Sequence, residues 1–215
     1  MNQDLAATRR SYDKSELSEE QAGHCPFALF TRWLGDALES EALDPNAMTL
    51  ATVDESGQPK GRILLLKGFS REKGWIFYTN YESDKGQELA ANPRCSLLFW
   101  WENLQRQVRV EGRVQKLSET DSDAYYTSRP RDSQVGAWVS EQSRVITGRE
   151  LLEERLAVLE EQYQGIGILP RPPHWGGYQV LPACVEFWQG KPSRLHDRIR
   201  FRKEGQEWIR ERLAP

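Results

Sequence analysis

The chain has little of what marks several common classes of protein. Its 215 residues hold three cysteines, Cys25, Cys95 and Cys184, odd in number and far apart. That pattern excludes a disulfide framework and a cysteine zinc site. It fits free thiols in a reducing cytosol, so a cytoplasmic protein is expected. Histidine is as sparse: His24, His174 and His196 give no basis for a histidine metal site. No apolar run approaches the ~20 residues of a membrane span, and one of the longest, 96–101, suits a buried strand. The opening Met1-Asn2-Gln3-Asp4-Leu5 has no apolar h-region, so no secretory signal is expected. There is no G-x-G-x-x-G, no Walker loop, no H-E-x-x-H and no G-x-S-x-G. Basic residues do not predominate: 29 Lys and Arg against 32 Asp and Glu leave a net charge of -3. A nucleic-acid partner is therefore not expected, and the local basic groups suit small anions.

Aromatic residues are plentiful. Eight Trp, seven Tyr and seven Phe supply the large anchors that disordered chains lack. Residues 1–25 are polar and without period, and read as a mobile arm; 26–215 read as a single domain. Pro26 opens a helix on which Phe27, Phe30, Leu34 and Leu38 fall at near-helical spacing. The period then changes to two. Strands are expected at 47–53, 60–67, 75–79, 94–101 and 106–117, with a short helix at 83–91 closed by Asn92-Pro93. In 106–117, Val108, Val110 and Val114 face one way and Gln107, Arg109, Glu111 and Arg113 the other. Residues 118–163 read as helical, with Ser118 as one cap and Thr147 with Glu150 as a capping box for a helix through Tyr163. A Gly- and Pro-rich loop at 165–177 precedes closing strands at 178–188, 194–202 and 207–212. Six or seven antiparallel strands with inserted helices, lacking βαβ alternation, predict a mainly β, α+β fold: a barrel or open barrel.

Four constellations could carry chemistry. On a strand, Arg194, His196 and Arg198 share one face and Leu195 and Asp197 the other. Two guanidiniums flanking an imidazole make an anion-binding, proton-handling row. The plain alternative is a solvated edge strand, but the preceding Phe187-Trp188-Gln189-Gly190 favours a site. Tyr125, Arg129 and Ser133 recur at a spacing of four, one helical face. Pro130 disfavours helix at Arg129, so one helix should end near Thr127 and another start around 128–130, its free N–H groups suited to a phosphate. Arg62 and Lys67 bracket the apolar Ile63, Leu64, Leu65 and Leu66. On a regular strand they lie on opposite faces, roughly 17 Å apart, and suit two anions or the two ends of one long ligand. Finally, Tyr78-Thr79-Asn80 with Ser83-Asp84-Lys85 joins a strand end to a helix start, where hydroxyls and N–H groups can meet an anion. Gln142-Ser143 is a weaker candidate, and Gln107, on the polar face of its strand, could reach a ring edge, though plain surface exposure explains it better.

Taken in order, these stretches resemble the pyridoxamine 5′-phosphate oxidase family. The resemblance runs from about Arg9 to Pro215. It is carried most by 62–67, Phe77-Tyr78-Thr79-Asn80, Ser128-Arg129-Pro130-Arg131-Asp132-Ser133-Gln134, Gly136-Ala137-Trp138, Glu186-Phe187-Trp188-Gln189-Gly190, Arg194-Leu195-His196-Asp197-Arg198 and Arg212-Leu213-Ala214-Pro215. It implies an FMN-binding split barrel of antiparallel strands with peripheral helices, a homodimer whose active sites draw on both chains. The implied reaction is oxidation of pyridoxamine or pyridoxine 5′-phosphate to pyridoxal 5′-phosphate by dioxygen, releasing hydrogen peroxide. The implied FMN ligands are Arg62 and its strand through Ile63, Leu64, Leu65, Leu66 and Lys67, then Tyr78, Thr79 and Lys85. Gln107, Gln142, Ser143, Trp188 and Arg198 complete that set. The implied substrate ligands are Lys67, Tyr125, Arg129, Ser133, Arg194 and His196. Arg194 or His196 would assist removal of the proton, and Arg9 and Tyr12 match the arm that covers the substrate. One departure stands out: the family has Ser-Arg-Lys where this chain has Ser83-Asp84-Lys85, and an acidic side chain repels phosphate. Asp84 is therefore not counted as a ligand. Two other readings stay open: a split-barrel flavin reductase acting on another substrate, and a non-catalytic carrier of FMN or pyridoxal phosphate.

Overall fold

The computed structural model describes residues 11–40 and 42–215. Period-two burial builds the sheet. In β1 (Ala47–Val53), Met48, Leu50 and Thr52 point inward. In β5 (Arg94–Trp101) the inward residues are Cys95, Leu97, Phe99 and Trp101. In β6 (Arg106–Lys116) they are Val108, Val110 and Val114, as the alternation predicts. The remaining strands are β2 (Pro59–Leu65), β3 (Gly68–Ser70), β4 (Gly74–Asn80), β7 (Trp175–Gln189), β8 (Asp197–Glu204) and β9 (Glu207–Arg212). All pairings are antiparallel, in the order β2-β1-β5-β6-β7-β4-β3, with β8 on β7 and β9 on β8.

The sheet divides along β7. Residues 175–180 of that strand pair with β4, and residues 184–189 pair with β8. Between them lies a register shift opposite Glu111 and Gly112. A Cβ on Gly112 would stand 2.2 Å from the Leu181 carbonyl oxygen, so only glycine lets the strands approach there. One long strand thus serves two half-sheets, which is how the barrel is split.

Helix α2 (Pro26–Glu39) covers the inner face. Phe30 meets Phe69, Phe99 and Trp75 at ring distances of 4.8, 5.1 and 5.3 Å, and Phe27 stacks on Trp75 at 4.7 Å. Its buried line is Phe27, Phe30, Trp33 and Ala37. Leu38, expected on that line, is 62% exposed, because the packed face has turned past it by the last turn. Helix α3 (Asp84–Ala91) is capped by the Ser83 hydroxyl, which accepts from Gly86 N–H. A smaller core holds α4 (Glu119–Ser128) and α5 (Arg131–Val139) against the start of β7 through Tyr126, Val135, Val139, Leu169 and Trp175.

Four local expectations are corrected. The short α1 (Glu19–Ala22) lies within the N-terminal stretch, closed by a capping box between Ser18 and Gln21, and Leu17 before it is only 2% exposed. Its anchors come from β8 and β9, far off in sequence: Asp197 accepts from Leu17 N–H at 3.0 Å and Arg212 donates to the Leu17 carbonyl. The Thr147–Glu150 capping box does not form. Helix α6 (Glu150–Gln162) starts after Arg149 with no side-chain cap, and Gly148 is a poor first helical residue for the expected start. The strand expected from Arg194 begins only at Asp197, since Pro192 opens a 3₁₀ turn through Arg194. Ser193 and Arg194 have φ of 57° and 61° there, so the alternation argued for Arg194, His196 and Arg198 does not apply. Finally, the described sheet has nine strands.

Candidate active site

The α4–α5 junction is built by a buried amide. Gln134 donates to the carbonyls of Arg129 and Thr127 and accepts from Leu169 N–H, while Tyr126 OH donates to the Gln134 carbonyl. Helix α4 ends at Ser128 and α5 starts at Arg131, so Pro130 separates them as the sequence requires. This aims Arg129 and Ser133 into a cleft of about 530 Å³. Leu64 and Leu65 line it from the end of β2, Lys67 from the link to β3, Tyr78 and Thr79 from β4, Tyr125 from α4, and Gln142 from the segment after α5.

Three nearly parallel rings form one wall. Tyr78 and Tyr125 stack at 3.8 Å, Tyr78 and Trp175 at 5.5 Å, and the Arg129 guanidinium sits 4.5 Å from the Trp175 ring centre. Burial, with Tyr125 alongside, pushes the Tyr78 phenol up to about 12, so it stays protonated. Arg129 Nη1 is buried and has no hydrogen-bond partner among the described residues. An unsatisfied guanidinium nitrogen costs on the order of 1–3 kcal/mol, which an anionic ligand would recover. Lys85 Nζ donates to Gln142 Oε1 at 2.8 Å and to Ser83 Oγ at 3.0 Å. Burial and the nearby Arg62 charge lower its pKa, against the opposing pull of the Asp84 and Glu88 carboxylates.

Some expected residues stand elsewhere. Arg62 does not line the cleft: its guanidinium bonds Glu88 at 2.8 Å, Thr52 and the Leu50 carbonyl. Glu88 is a buried partner that sequence reasoning missed. Burial raises its pKa, but its Thr52 and Arg62 bonds outweigh that and leave it lowered. Ile63 is exposed and Leu66 lies in the core. Ser143 is exposed with φ 73°. Asp84 lines a different hollow, with Asp54 and Glu88, so it does not face the cleft. Trp175, the floor beneath Arg129, was also missed. It is separated from Arg129 by two helices and their connecting segments, and no spacing announces it.

A second group gathers at the other end of β7. Trp188 pairs with Gln107 on one side and Arg198 on the other. His196 lies 4.5 Å from the Trp188 ring and accepts the Lys191 N–H at Nδ1 at 3.1 Å. Burial, then the Arg194 charge, lower its pKa, so the ring is neutral at neutral pH. Tyr12 packs edge-on to Trp188. Arg194 is exposed, and Arg9 lies outside the described residues. Trp175 and Trp188 are separated by roughly 40 Å of strand at ~3.3 Å per residue.

A family description, "Pyridoxamine 5′-phosphate oxidase", matches residues 34–163, and "Pyridoxine 5′-phosphate oxidase C-terminal dimerisation region" matches 175–215. The chain belongs to the pyridoxamine 5′-phosphate oxidase family. Among relatives in that family, the pyridoxine/pyridoxamine 5′-phosphate oxidase of Gloeothece citriformis is 53% identical over 216 residues, 100% of both chains. The protein of the same name from Cupriavidus necator is 55% identical over 214 residues, covering 98% of this chain and 99% of its own. Among solved structures, PhzG from Burkholderia lata, in complex with tetrahydrophenazine-1-carboxylic acid, superposes with a TM-score of 0.87 at 29% identity. That match covers 95% of this chain and 100% of PhzG. A pyridoxamine 5′-phosphate oxidase-related, FMN-binding protein from Nostoc punctiforme shares the fold, with a TM-score of 0.72 at 18% identity over 89% of this chain and 98% of its own. Among the described residues, no helix is long and apolar enough to cross a membrane.

Proposed function

We propose that this family member is an FMN-dependent oxidase converting pyridoxamine or pyridoxine 5′-phosphate to pyridoxal 5′-phosphate, with dioxygen as acceptor and hydrogen peroxide as product. The observation that carries the reading is the unpartnered Arg129 Nη1 in a cleft shared with Lys67 and Ser133 beside the stacked rings. Cations next to flat apolar walls suit a phosphorylated aromatic ring. Lys67, Tyr125, Arg129 and Ser133 hold the substrate phosphate in this reading. The donor set also fits FMN: the buried Lys85 ammonium, bonded among the described residues only to the neutral oxygens of Ser83 and Gln142, with the Thr79 hydroxyl nearby, provides for a second anion. FMN held there would supply the hydride-accepting and dioxygen-reducing chemistry of the reaction.

The chain's own residues bind and orient. Thr79, Lys85 and Gln142, with Tyr78 and the backbone from Arg62 to Lys67, hold the cofactor from one protomer. Gln107, Trp188 and Arg198 stand at the far end of β7, as do Arg194 and His196. They complete a site only if a second copy supplies them, and the dimerisation region matched at 175–215 supports that arrangement. Held by Lys191, His196 presents Nε2–H as a donor to the substrate ring, and Arg194 stands free to assist proton departure. Orientation between the two protomers supplies much of the rate.

The test is a visible spectrum of the FMN-reconstituted protein, first anaerobic with pyridoxine 5′-phosphate and then in air. The flavin band is expected to bleach and then return. Bound FMN that never bleaches would sink the oxidase reading in favour of a carrier or another substrate.

A further inference from the structure

Gln105 occupies the turn between β5 and β6 with left-handed backbone, φ 54°, and is 9% exposed. Its side chain leaves the turn. The carboxamide oxygen accepts Asp13 N–H at 3.1 Å and Lys14 N–H at 3.3 Å, and the amide nitrogen donates to the Ser11 carbonyl at 3.3 Å. One amide group therefore grips the chain on both sides of Tyr12, as a neighbouring strand would. Lys14 Nζ adds a bond to the Asn103 carbonyl at 2.7 Å. The Gln105 carbonyl meanwhile accepts Gly190 N–H at 2.8 Å and Gln189 Nε2 at 3.3 Å, which ties the turn to the end of β7. Tyr12 is seated by these contacts. A Cβ on Gly190 would lie 2.8 Å from Tyr12 Cβ and 2.9 Å from Cγ, so the side chain rests on bare backbone. Its ring centre stands 5.9 Å from those of both Trp188 and His196.

We infer that Gln105 is a positioning residue for the reaction, acting through Tyr12: its carboxamide pins residues 11–14 so that Tyr12 closes over His196 on the seat left by Gly190. The inference rests on the reading in which His196 touches the substrate. A near-terminal segment gains its order only from what holds it, and here a single side chain provides three of the bonds. No periodic signal marks Gln105, because its role depends on chain ends brought together from opposite ends of the sequence.

The experiment uses the full-length, FMN-loaded protein and two readouts. Amide exchange is followed in the peptide covering 11–17, and KM and kcat are measured with pyridoxine 5′-phosphate. Gln105→Ala should speed exchange at Asp13 and Lys14 at least tenfold and raise KM at least fivefold, with FMN affinity within twofold of the parent. Gln105→Gly suits the left-handed backbone better than Gln but lacks the carboxamide. It should match Gln105→Ala; parent-like exchange and KM in Gln105→Gly would assign the effect to the turn and overturn the proposal. Gly190→Ala should raise KM by displacing Tyr12 while exchange at residues 13 and 14 stays slow. Tyr12→Ala should raise KM as Gln105→Ala does, and the double variant should be no worse than Tyr12→Ala. Additive losses, or unchanged exchange in Gln105→Ala, would equally overturn it. Fast exchange with an unchanged KM would show a clamp that positions nothing. A parent protein without turnover would instead refute the oxidase reading, and the exchange data would still decide whether the clamp exists.

Discussion

The two ends of β7 carry arginines in opposite states. At the Trp188 end, Arg198 and Arg109 bond the two oxygens of Glu186 at 2.8 and 2.7 Å, and Glu186 is only 3% exposed. At the Trp175 end, Arg129 stacks on aromatic rings and leaves Nη1 without a partner. One end has its Arg109 and Arg198 guanidiniums matched within the chain. The other keeps a cation unmatched, which weakens the empty protein and strengthens its hold on an anion. The same residue type is thus ion-paired at one end and left with an unpartnered nitrogen at the other, and only the neighbours decide which.

The sharpest way to break this contrast is Arg129→Ala. Losing charge-assisted bonds to a phosphate is worth about 3 kcal/mol, so KM for pyridoxine 5′-phosphate should rise roughly 100-fold in steady-state assays. The same variant should change unfolding free energy by no more than about 1 kcal/mol in urea titrations, since the lost ring contact is offset by removal of the buried nitrogen without a partner. A parent-like KM would remove Arg129 from the site. Arg198→Ala tests the other end. It leaves Glu186 buried with one partner fewer, and denaturation should show a loss of about 1–3 kcal/mol. No loss of stability would mean that the two ends do not differ in kind.

Smaller effects refine the picture. Lys85 has a lowered pKa from burial first and Arg62 second. An anion favours its charged form, so binding draws the pKa back up. FMN affinity should therefore fall as pH rises through the lowered pKa of the free protein, by at most tenfold per pH unit. Fluorescence titrations of FMN across pH 6–10 would show this, and Lys85→Met should flatten the profile. The smallest effect belongs to Asp84. It sits in the first turn of α3 and outside the cleft. Asp84→Asn should cost about 0.3–1 kcal/mol of stability through the helix dipole and leave FMN affinity within twofold. A large gain in affinity would show that Asp84 does oppose the cofactor.

Much of the fold was legible because alternation and helical spacing are local. Met48, Leu50 and Thr52 point inward as period two requires, and Pro130 breaks the helix between Tyr125 and Ser133. The local reading failed where a nearby proline set a different turn or where a partner far along the chain intervened. The 3₁₀ turn at Pro192 took Arg194 off the expected strand, and Arg62 turned to Glu88 instead of the cleft. Trp175 and Gln105 had no signal at all, since their partners lie far away in sequence.

By itself, the sequence determined the β character, the helix boundaries around Pro26 and Pro130, and the residue types able to hold two anions. These follow from dihedral limits, burial periods and side-chain chemistry within a few residues. Only the tertiary structure decided which cations are free. It divided β7 between two half-sheets, set Trp175 beneath Arg129 and Glu186 between Arg109 and Arg198, and brought residues 11–14 to Gln105. The reason is physical: a charge is spent or available according to what lies within about 3 Å of it, and chain folding sets that distance.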